Sequence, residues 1–369
     1  MSELNVKIRL ATKNDASSIN LFYNKMYELN RTETQWDWEY GDSALKKAFF
    51  AVALVDGKIV GTQALIPIDI VINKKIILSA KSEETLIHPS YRGVGIFEKM
   101  YDFLIPIAKN AGISFIWGFT PAVKPFYRVG FKSPTITEQF YAPLSFKIAQ
   151  GVALNIEKTD LLKKYFYKLI YPLAALRFRG YSIFSNVTIS AKSDYKIEEI
   201  FNLPPDIHLL SQAFSEQWHV PTVNRSQDYL YWRVLNNPHC KSRILVFSYK
   251  EKILGMICFS VTEKLEGYIV DLIAVASSEF SIDIDLVISS LLSKATNEMK
   301  ISGATSIRGW CFGSNQFSQV LRRVSKRLGY LHINRGEPMV IYSVDNNLEQ
   351  SEKFSESYLS RILTEGVLG

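Results

Sequence analysis

Between Leu86 and Phe131 the chain sets out two groups of residues whose types suit chemistry on an anion. An apolar run ends in Leu86-Ile87-His88-Pro89-Ser90 and passes directly into Tyr91-Arg92-Gly93-Val94-Gly95-Ile96-Phe97. A glycine-rich turn from a strand into a helix is an anion cradle. The glycines turn the backbone tightly, and the first N–H groups of the helix have no internal partner, so a phosphate can rest on them and on the positive end of the dipole. A Walker loop would need Gly-Lys-Ser/Thr after four intervening residues, and a dinucleotide fingerprint would need a third glycine and a later acidic residue; neither is present. Taken alone, two glycines before a helix describe an ordinary helix start. Further on, Phe126-Tyr127-Arg128-Val129-Gly130-Phe131 closes a predicted helix and leads into another strand.

Other chemistry-bearing residues say less. Trp36, Asp37 and Trp38 combine flat aromatic faces with a carboxylate. That set suits a sugar ring or a cationic amine, and core packing explains the tryptophans equally well. His88 adjoins the loop closely enough to touch a phosphate or ribose, while His208, His219, His239 and His332 lack metal-ligand spacing, so no metal is expected. Cys240, Cys258 and Cys311 are odd in number and far apart, which reads as reduced thiols. No Gly-x-Ser-x-Gly elbow occurs.

The paired motifs resemble those of the GNAT superfamily of N-acetyltransferases, whose pyrophosphate loop reads Arg/Gln-x-x-Gly-x-Gly/Ala and whose later Tyr-x-x-Gly-Phe closes the cofactor site. Arg92 and Gly95 match the first two fixed positions, and Phe97 stands where the family has Gly or Ala. Tyr127, Gly130 and Phe131 match the second motif, and Thr120 replaces the Asn that usually precedes that Tyr by seven residues. The resemblance runs from about Val6 to Tyr141. It implies an acetyl-CoA-dependent N-acetyltransferase that moves an acetyl group directly onto a primary amine of a small acceptor. Acetyl-CoA would be held by Leu86, Ile87, Arg92, Gly93, Val94, Gly95, Ile96 and Thr120. Such transfer needs a free amine, a polarised thioester and a proton for the departing thiolate. By the family's pattern Tyr127 gives that proton, a backbone N–H of Leu86 or Ile87 polarises the thioester, and Glu84 or Glu83 acts as base. Side chains alternate across a strand, so only one of the two glutamates should face the cleft, and Glu84 is preferred. An amino sugar or nucleotide-linked amino sugar is the leading acceptor, on the strength of Trp36, Asp37, Trp38 and the basic excess. The alternative is a non-catalytic acyl-CoA-binding or scaffold protein of the same fold.

These residues need elements to position them, and the pattern supplies them. Ile8 to Ala11 reads as a strand, a helix starts at Asn14, Arg31 to Tyr40 reads as a second helix, and strands at Ala48 to Val55 and Ile59 to Ile68 are joined by the hairpin signal Asp56-Gly57. A long strand from Ile76 to Ile87 follows, then the loop and a helix ended by Gly112, a strand from Ile113 to Phe119 and a short helix from Val123 to Arg128.

The second half repeats the first in outline. Trp38 precedes Gly61 by the same 23 residues that separate Trp232 from Gly255, and Arg128-Val129-Gly130-Phe131 corresponds to Arg327-Leu328-Gly329-Tyr330. The fold class read from this is α/β (α+β), with two tandem GNAT-like domains, each a mixed, mostly antiparallel sheet flanked by helices. The expected divisions are 1–145, a basic aromatic helical linker over 146–205, and 206–369. In the second copy Ala276-Ser277-Ser278-Glu279-Phe280 has no glycine, Asp283 and Asp285 follow, and Lys326 aligns with Tyr127. That copy is therefore expected to be degenerate, serving as a wall, substrate platform or homodimer surface.

Composition bounds the rest. The 369 residues are 47% hydrophobic and 21% charged, enough apolar content for two cores, and no run is long and apolar enough to span a membrane. No leader is seen at the start, so a cytoplasmic protein is the expectation. The net charge of +7 has a ready use in a polyanionic coenzyme, and basic residues concentrate from Lys158 to Arg179 among aromatics. No nucleic acid is expected as partner; binding of one through that run would show a steep salt dependence.

Overall fold

The computed structural model describes residues 5–72, 74–145, 173, 195–333, 337–345, 353, 354 and 356–363. The basic run from Lys158 to Arg179 lies outside the described residues, Leu173 excepted, as does most of the expected linker. In chain order the elements are β1 (Lys7–Leu10), α1 (Ala16–Tyr27), α2 (Glu33–Tyr40), β2 (Phe49–Val55), β3 (Lys58–Ile72), β4 (Lys75–Ile87), α3 (Ile96–Asn110), β5 (Phe115–Phe119), α4 (Val123–Arg128) and β6 (Thr137–Pro143). There follow β7 (Tyr195–Ile200), α5 (Ile207–Trp218), β8 (Thr222–Val223), α6 (Gln227–Leu230), β9 (Ser242–Tyr249), β10 (Lys252–Val261), β11 (Glu266–Ala274), α7 (Ile284–Ile301), β12 (Ser306–Phe312), α8 (Gln316–Arg327), β13 (Leu331–Ile333) and β14 (Met339–Ser343).

The chain divides into two compact units. The first comprises Met1–Ile136, Pro221–Asn224 and Glu337–Ser357, and its sheet runs in the order β1-β2-β3-β4-β5-β14, with β8 beside β3. Its strands pair antiparallel except for β4 and β5, which are parallel. The β2–β3 hairpin closes through Asp56 and Gly57, both in the left-handed region at φ 49° and 75°, with Val55 opposite Lys58. Helix α3 buries Ile96, Phe97, Met100, Tyr101, Leu104 and Ala108 along one stripe. Phe97, Tyr101, Leu104 and Ala108 meet Ala51, Leu65, Ala80, Ile116, Phe126 and Phe131 in the core, and Ile96 and Met100 meet Ala53, Val55 and Val60.

The second unit comprises Thr137–Val220, Arg225–Gly336 and Tyr358–Gly369, and its sheet runs β13-β6-β12-β11-β10-β9-β7. Here too one pairing, β11 with β12, is parallel. The β9–β10 hairpin turns through Lys250 and Glu251 at φ 45° and 68°, the same left-handed pair as in the first unit but without a glycine. Helix α7 buries Val287, Ile288, Leu291, Leu292, Ala295 and Met299.

Each unit thus has a mixed, mostly antiparallel sheet flanked by helices, and both run strand, two helices, three strands, helix, strand, helix. The boundaries differ from those read in the sequence. Residues 137–143, assigned there to the end of the first domain, pair as β6 with β12 and β13 of the second unit. Residues 339–343, assigned to the second domain, pair as β14 with β5 of the first. The apolar alternation of a strand states that it must be buried, not which sheet buries it.

Candidate active site

The loop from His88 to Ile96 is built as a cradle. His88 opens a single 3-10 turn over Pro89–Tyr91, its ring nitrogen accepting from the Ser90 N–H at 3.3 Å. Gly93 and Gly95 both sit at φ 81°, a conformation that strains any residue with a Cβ, and a Cβ built on either meets nothing within 4 Å. Gly95 is the N-cap of α3 and offers no side chain to the helix start; the first intrahelical bond is from the Lys99 N–H to the Gly95 carbonyl at 3.0 Å. The preceding N–H groups therefore stand ready for an anion on the positive end of a 15-residue helix. Val94 is half exposed, Ile96 is buried under the loop, and Phe97 turns into the core against Tyr101 and Phe126. The bulky residue at position 97 thus fills the core and leaves the cradle open. Arg92 donates from Nε to the Ile87 carbonyl at 3.1 Å, which tethers an exposed guanidinium beside the cradle.

Strands β4 and β5 lie next to it. They pair only at Ala80 with Ile116 and Lys81 with Trp117. A Cβ at Gly118 would lie 2.9 Å from the Ser82 carbonyl oxygen, so the strands still approach closely just past the last ladder pair. Beyond Ser82, β4 carries a bulge: Ala64 pairs with Glu83 but Thr62 pairs with Leu86, giving β4 one extra residue. Glu84, at φ 50°, occupies it. The His88 N–H bonds to the Val60 carbonyl on β3 at 2.9 Å, and because alternate N–H groups of an antiparallel strand share a neighbour, the Ile87 N–H faces away from β3. Of the two backbone groups expected to polarise a thioester, Ile87 is the one turned toward the β5 side, and Leu86 is buried.

The two glutamates are placed differently from the expected pattern. Glu84 is buried and accepts both terminal nitrogens of Arg31, at 2.5 Å and 3.1 Å, with side-chain exposures of 0% and 7% for the glutamate and arginine. Burial works against the Arg31 charge, but the Glu84 carboxylate overcomes it and holds the guanidinium firmly protonated. Arg31 is itself fixed: its Nε donates to Asn20 Oδ1 at 2.6 Å, its backbone exchanges hydrogen bonds with the Asn24 amide, and its guanidinium lies 3.8 Å over the Tyr23 ring. A carboxylate so enclosed is a strut. The expectation that Glu84 faces a cleft as a free base is therefore corrected: the bulge interrupts the alternation on which it rested. Glu83 is part-exposed and ion-paired with Lys81.

Tyr127 stands at the end of α4 with half of its surface exposed, while its neighbours Phe126 and Phe131 are buried in the core. Gly130, at φ 90°, completes the turn, and the Phe131 N–H reaches back to the Phe126 carbonyl at 3.1 Å. The buried aromatics anchor the segment and turn the phenol outward. Thr120 follows β5; its N–H bonds to the Pro338 carbonyl at 2.9 Å and its hydroxyl accepts from the Ala122 N–H at 3.1 Å. Beneath the bulge, Tyr101 and Ser82 share a 2.7 Å hydrogen bond that continues through Gln63 to Thr85. Burial pushes the Tyr101 phenol well up, so it remains neutral.

Trp36 and Trp38 are 4% and 3% exposed, with Trp36 edge-on to Phe50. Asp37 ties the end of α2, accepting from the Asp42 N–H at 3.0 Å and from the Ser43 hydroxyl. The aromatic faces expected to receive an acceptor are thus taken by the core, and the carboxylate by a loop. Among the described residues no group of His, Cys, Asp and Glu could hold a metal, and no helix is long and apolar enough to cross a membrane.

The sequence reading missed Arg31, although a signal was present. Asn30-Arg31-Thr32 recurs as Asn224-Arg225-Ser226, each arginine seven residues before the repeated tryptophan. Thr32 caps α2 by accepting from the Gln35 N–H, and Ser226 caps α6 by accepting from the Tyr229 N–H.

Residues 7–132 match the model of an acetyltransferase (GNAT) domain. No curated protein sequence matches the chain. Among solved structures, a GCN5-related N-acetyltransferase from Anabaena variabilis is similar at 12% identity and a TM-score of 0.60, over 92% of this chain and 73% of that one. A conserved protein of unknown function from Enterococcus faecalis, a probable N-acyltransferase, gives 12% identity and 0.59 over the same shares. Saccharomyces cerevisiae N-myristoyltransferase with bound myristoyl-CoA and inhibitors gives 12% identity and 0.58, over 93% of this chain and 80% of that one. Residues 7–132 are therefore similar to a GNAT acetyltransferase domain, on a fold shared along most of the chain with these structures.

Proposed function

We propose that the first unit transfers an acyl group, acetyl in the leading case, from acyl-CoA to a primary amine. The observation that carries this reading is the cradle: two glycines at positive φ, an uncapped helix start and a tethered Arg92 beside strands whose ladder ends at Lys81 and Trp117. The pyrophosphate would lie on the N–H groups of Gly93 to Phe97 and against Arg92, with the open space over both glycines giving the backbone close approach. The thioester carbonyl would meet the Ile87 N–H, whose hydrogen bond strengthens as negative charge gathers on oxygen. Amine nitrogen attacks the carbonyl carbon, the C–S bond breaks, and Tyr127 gives its phenolic proton to the departing thiolate. Glu83, directly or through water, takes the proton that the amine loses, and Glu84 supports the strand that carries the Ile87 N–H.

With Trp36 and Trp38 in the core, the amino-sugar acceptor no longer rests on an aromatic platform. The test is release of free CoA from acetyl-CoA in the presence of amino sugars, nucleotide-linked amino sugars, polyamines or peptides with a free N-terminus. Myristoyl-CoA, the ligand of the yeast neighbour, serves as the competing donor. Amine-dependent CoA release that is lost in Tyr127→Phe supports the reading. Absence of release with every amine and both donors contradicts it.

A further inference from the structure

The Arg31–Glu84 pair has a counterpart. In the second unit Arg225 donates from Nε and a terminal nitrogen to Asp271 at 2.6 Å and 3.0 Å, both side chains 0% exposed. Strand β11 also carries an extra residue, since Cys258 pairs with Asp271 and Phe259 with Ile269. The carboxylates occupy corresponding places. Glu84 lies three residues before Ile87, which pairs with Gly61, and Asp271 lies three before Ala274, which pairs with Gly255. The next N–H in each strand bonds back to its neighbour, His88 to Val60 at 2.9 Å and Val275 to Leu254 at 2.8 Å. Both arginines immediately precede the N-cap of the following helix.

The second unit has this pair at its bulge but no glycine cradle, so the pair belongs to the bulge and not to an anion. In the first unit the same bulge follows the end of the β4–β5 ladder at Lys81 and Trp117 and precedes the glycine loop. A glutamate at φ 50° is an uncommon conformation, and it is held by a bidentate partner whose own backbone is clamped to α1. Resting on the acyltransfer reading above, we propose that Arg31 and Glu84 are positioning residues: their buried pair fixes the β4 bulge and thereby the direction of the Ile87 N–H toward the thioester carbonyl. The pair's hydrogen bonds join β4 to α1. Its loss should alter polarisation of the carbonyl without altering the hold on the phosphates.

The experiment is isotope-edited infrared spectroscopy of acetyl-CoA labelled with carbon-13 at the thioester carbonyl, bound to the full chain, with calorimetric affinity and thermal unfolding measured alongside. In the wild type the carbonyl stretch should fall relative to free acetyl-CoA. In Arg31→Lys, which keeps the charge but loses the planar fork, and in Glu84→Gln, which keeps the shape but loses the charge, that shift should shrink by about half or more while affinity stays within about threefold. Glu84→Asp, the residue type the second unit uses, should restore most of it. The matched lesion Arg225→Lys should lower the unfolding midpoint and leave the carbonyl stretch unchanged, which separates positioning from general stability. An unchanged shift in folded Arg31→Lys or Glu84→Gln overturns the proposal, as does wild-type protein that binds acetyl-CoA with no shift. Wild-type protein that does not bind acetyl-CoA instead overturns the acyltransfer reading on which the proposal rests.

Discussion

The two helix-start loops after β4 and β11 show what the shared architecture requires and what the chemistry adds. After β4 the chain passes through Gly93 and Gly95 at φ 81° and leaves the start of α3 uncapped. After β11, Ser277 and Ile282 exchange backbone hydrogen bonds, and Asp283 caps α7 by accepting from the Asp285 N–H at 3.4 Å. Asp285 in turn takes Arg323 and Arg327 at 2.6 Å and 3.0 Å. The second helix start has supplied its own anions and needs none from outside. At the end of the sheet the contrast repeats. Tyr127 and Lys326 are both exposed before a glycine at positive φ, Gly130 and Gly329, but only the first carries a phenol. Against these differences, the buried arginine–carboxylate pair is common to both units. Features present in both units hold the sheet; features present in the first alone are those an acyl-CoA would use.

The largest expected effect breaks the cradle. Gly95→Val places a branched side chain at φ 81°, where left-handed backbone is strained, and should weaken acetyl-CoA binding by about a hundredfold or more in calorimetry. Unchanged affinity would reduce the loop to an ordinary helix start. Tyr127→Phe should lower turnover by about one to three orders of magnitude with little change in acetyl-CoA affinity, the range for losing a general acid. A variant with wild-type turnover would leave the phenol a surface residue like Lys326.

Breaking the pair of the second unit should act on stability alone. Arg225→Met leaves the buried Asp271 without its arginine, at a cost of about 3–5 kcal/mol, while Arg225→Met with Asp271→Leu recovers most of it. Chemical denaturation measures both, and an undisturbed single variant would show that the pair does not hold the second sheet.

The smallest effect is a pH dependence confined to the second unit. Burial first, then Lys326 and Arg322, pull the His332 imidazole from 6.5 down to about 4. Glu138 opposes them, and the ring lies 2.9 Å from the Ser325 hydroxyl. The folded state prefers the neutral ring, so the unfolded chain binds the extra proton between those values. Stability is full above pH 6.5 and declines as pH falls toward about 4. His332→Gln should flatten that segment of the unfolding-midpoint curve; an identical curve would assign the slope to other groups.

Much of the fold was legible because strands and helices carry local patterns. The Asp56-Gly57 hairpin, the Gly93 and Gly95 loop and the Tyr127 to Phe131 turn are set by residues adjacent in the chain, and the structure places each where its pattern implies. What was not legible depends on partners distant in sequence. Glu84 reads as one of two alternating carboxylates until Arg31, 53 residues away, is brought against it and the bulge shifts the alternation. Trp36 and Trp38 have faces that suit a ligand or a core equally, and only packing against neighbours such as Phe50 decides. Strands β6 and β14 are recognisable as strands, but nothing local states which sheet they complete. The recurrent Asn-Arg-Thr/Ser was readable and marks the strut, since an arginine fixed before a helix cap can reach the same strand in each unit.

The most direct test of the comparison is the stoichiometry of acetyl-CoA binding to the full chain by calorimetric titration. One site per chain, lost in Gly95→Val and retained when Asp283 and Asp285 are both replaced by asparagine, is the predicted result. Two sites per chain, or one site that survives Gly95→Val, would contradict the assignment of the cradle to the first unit.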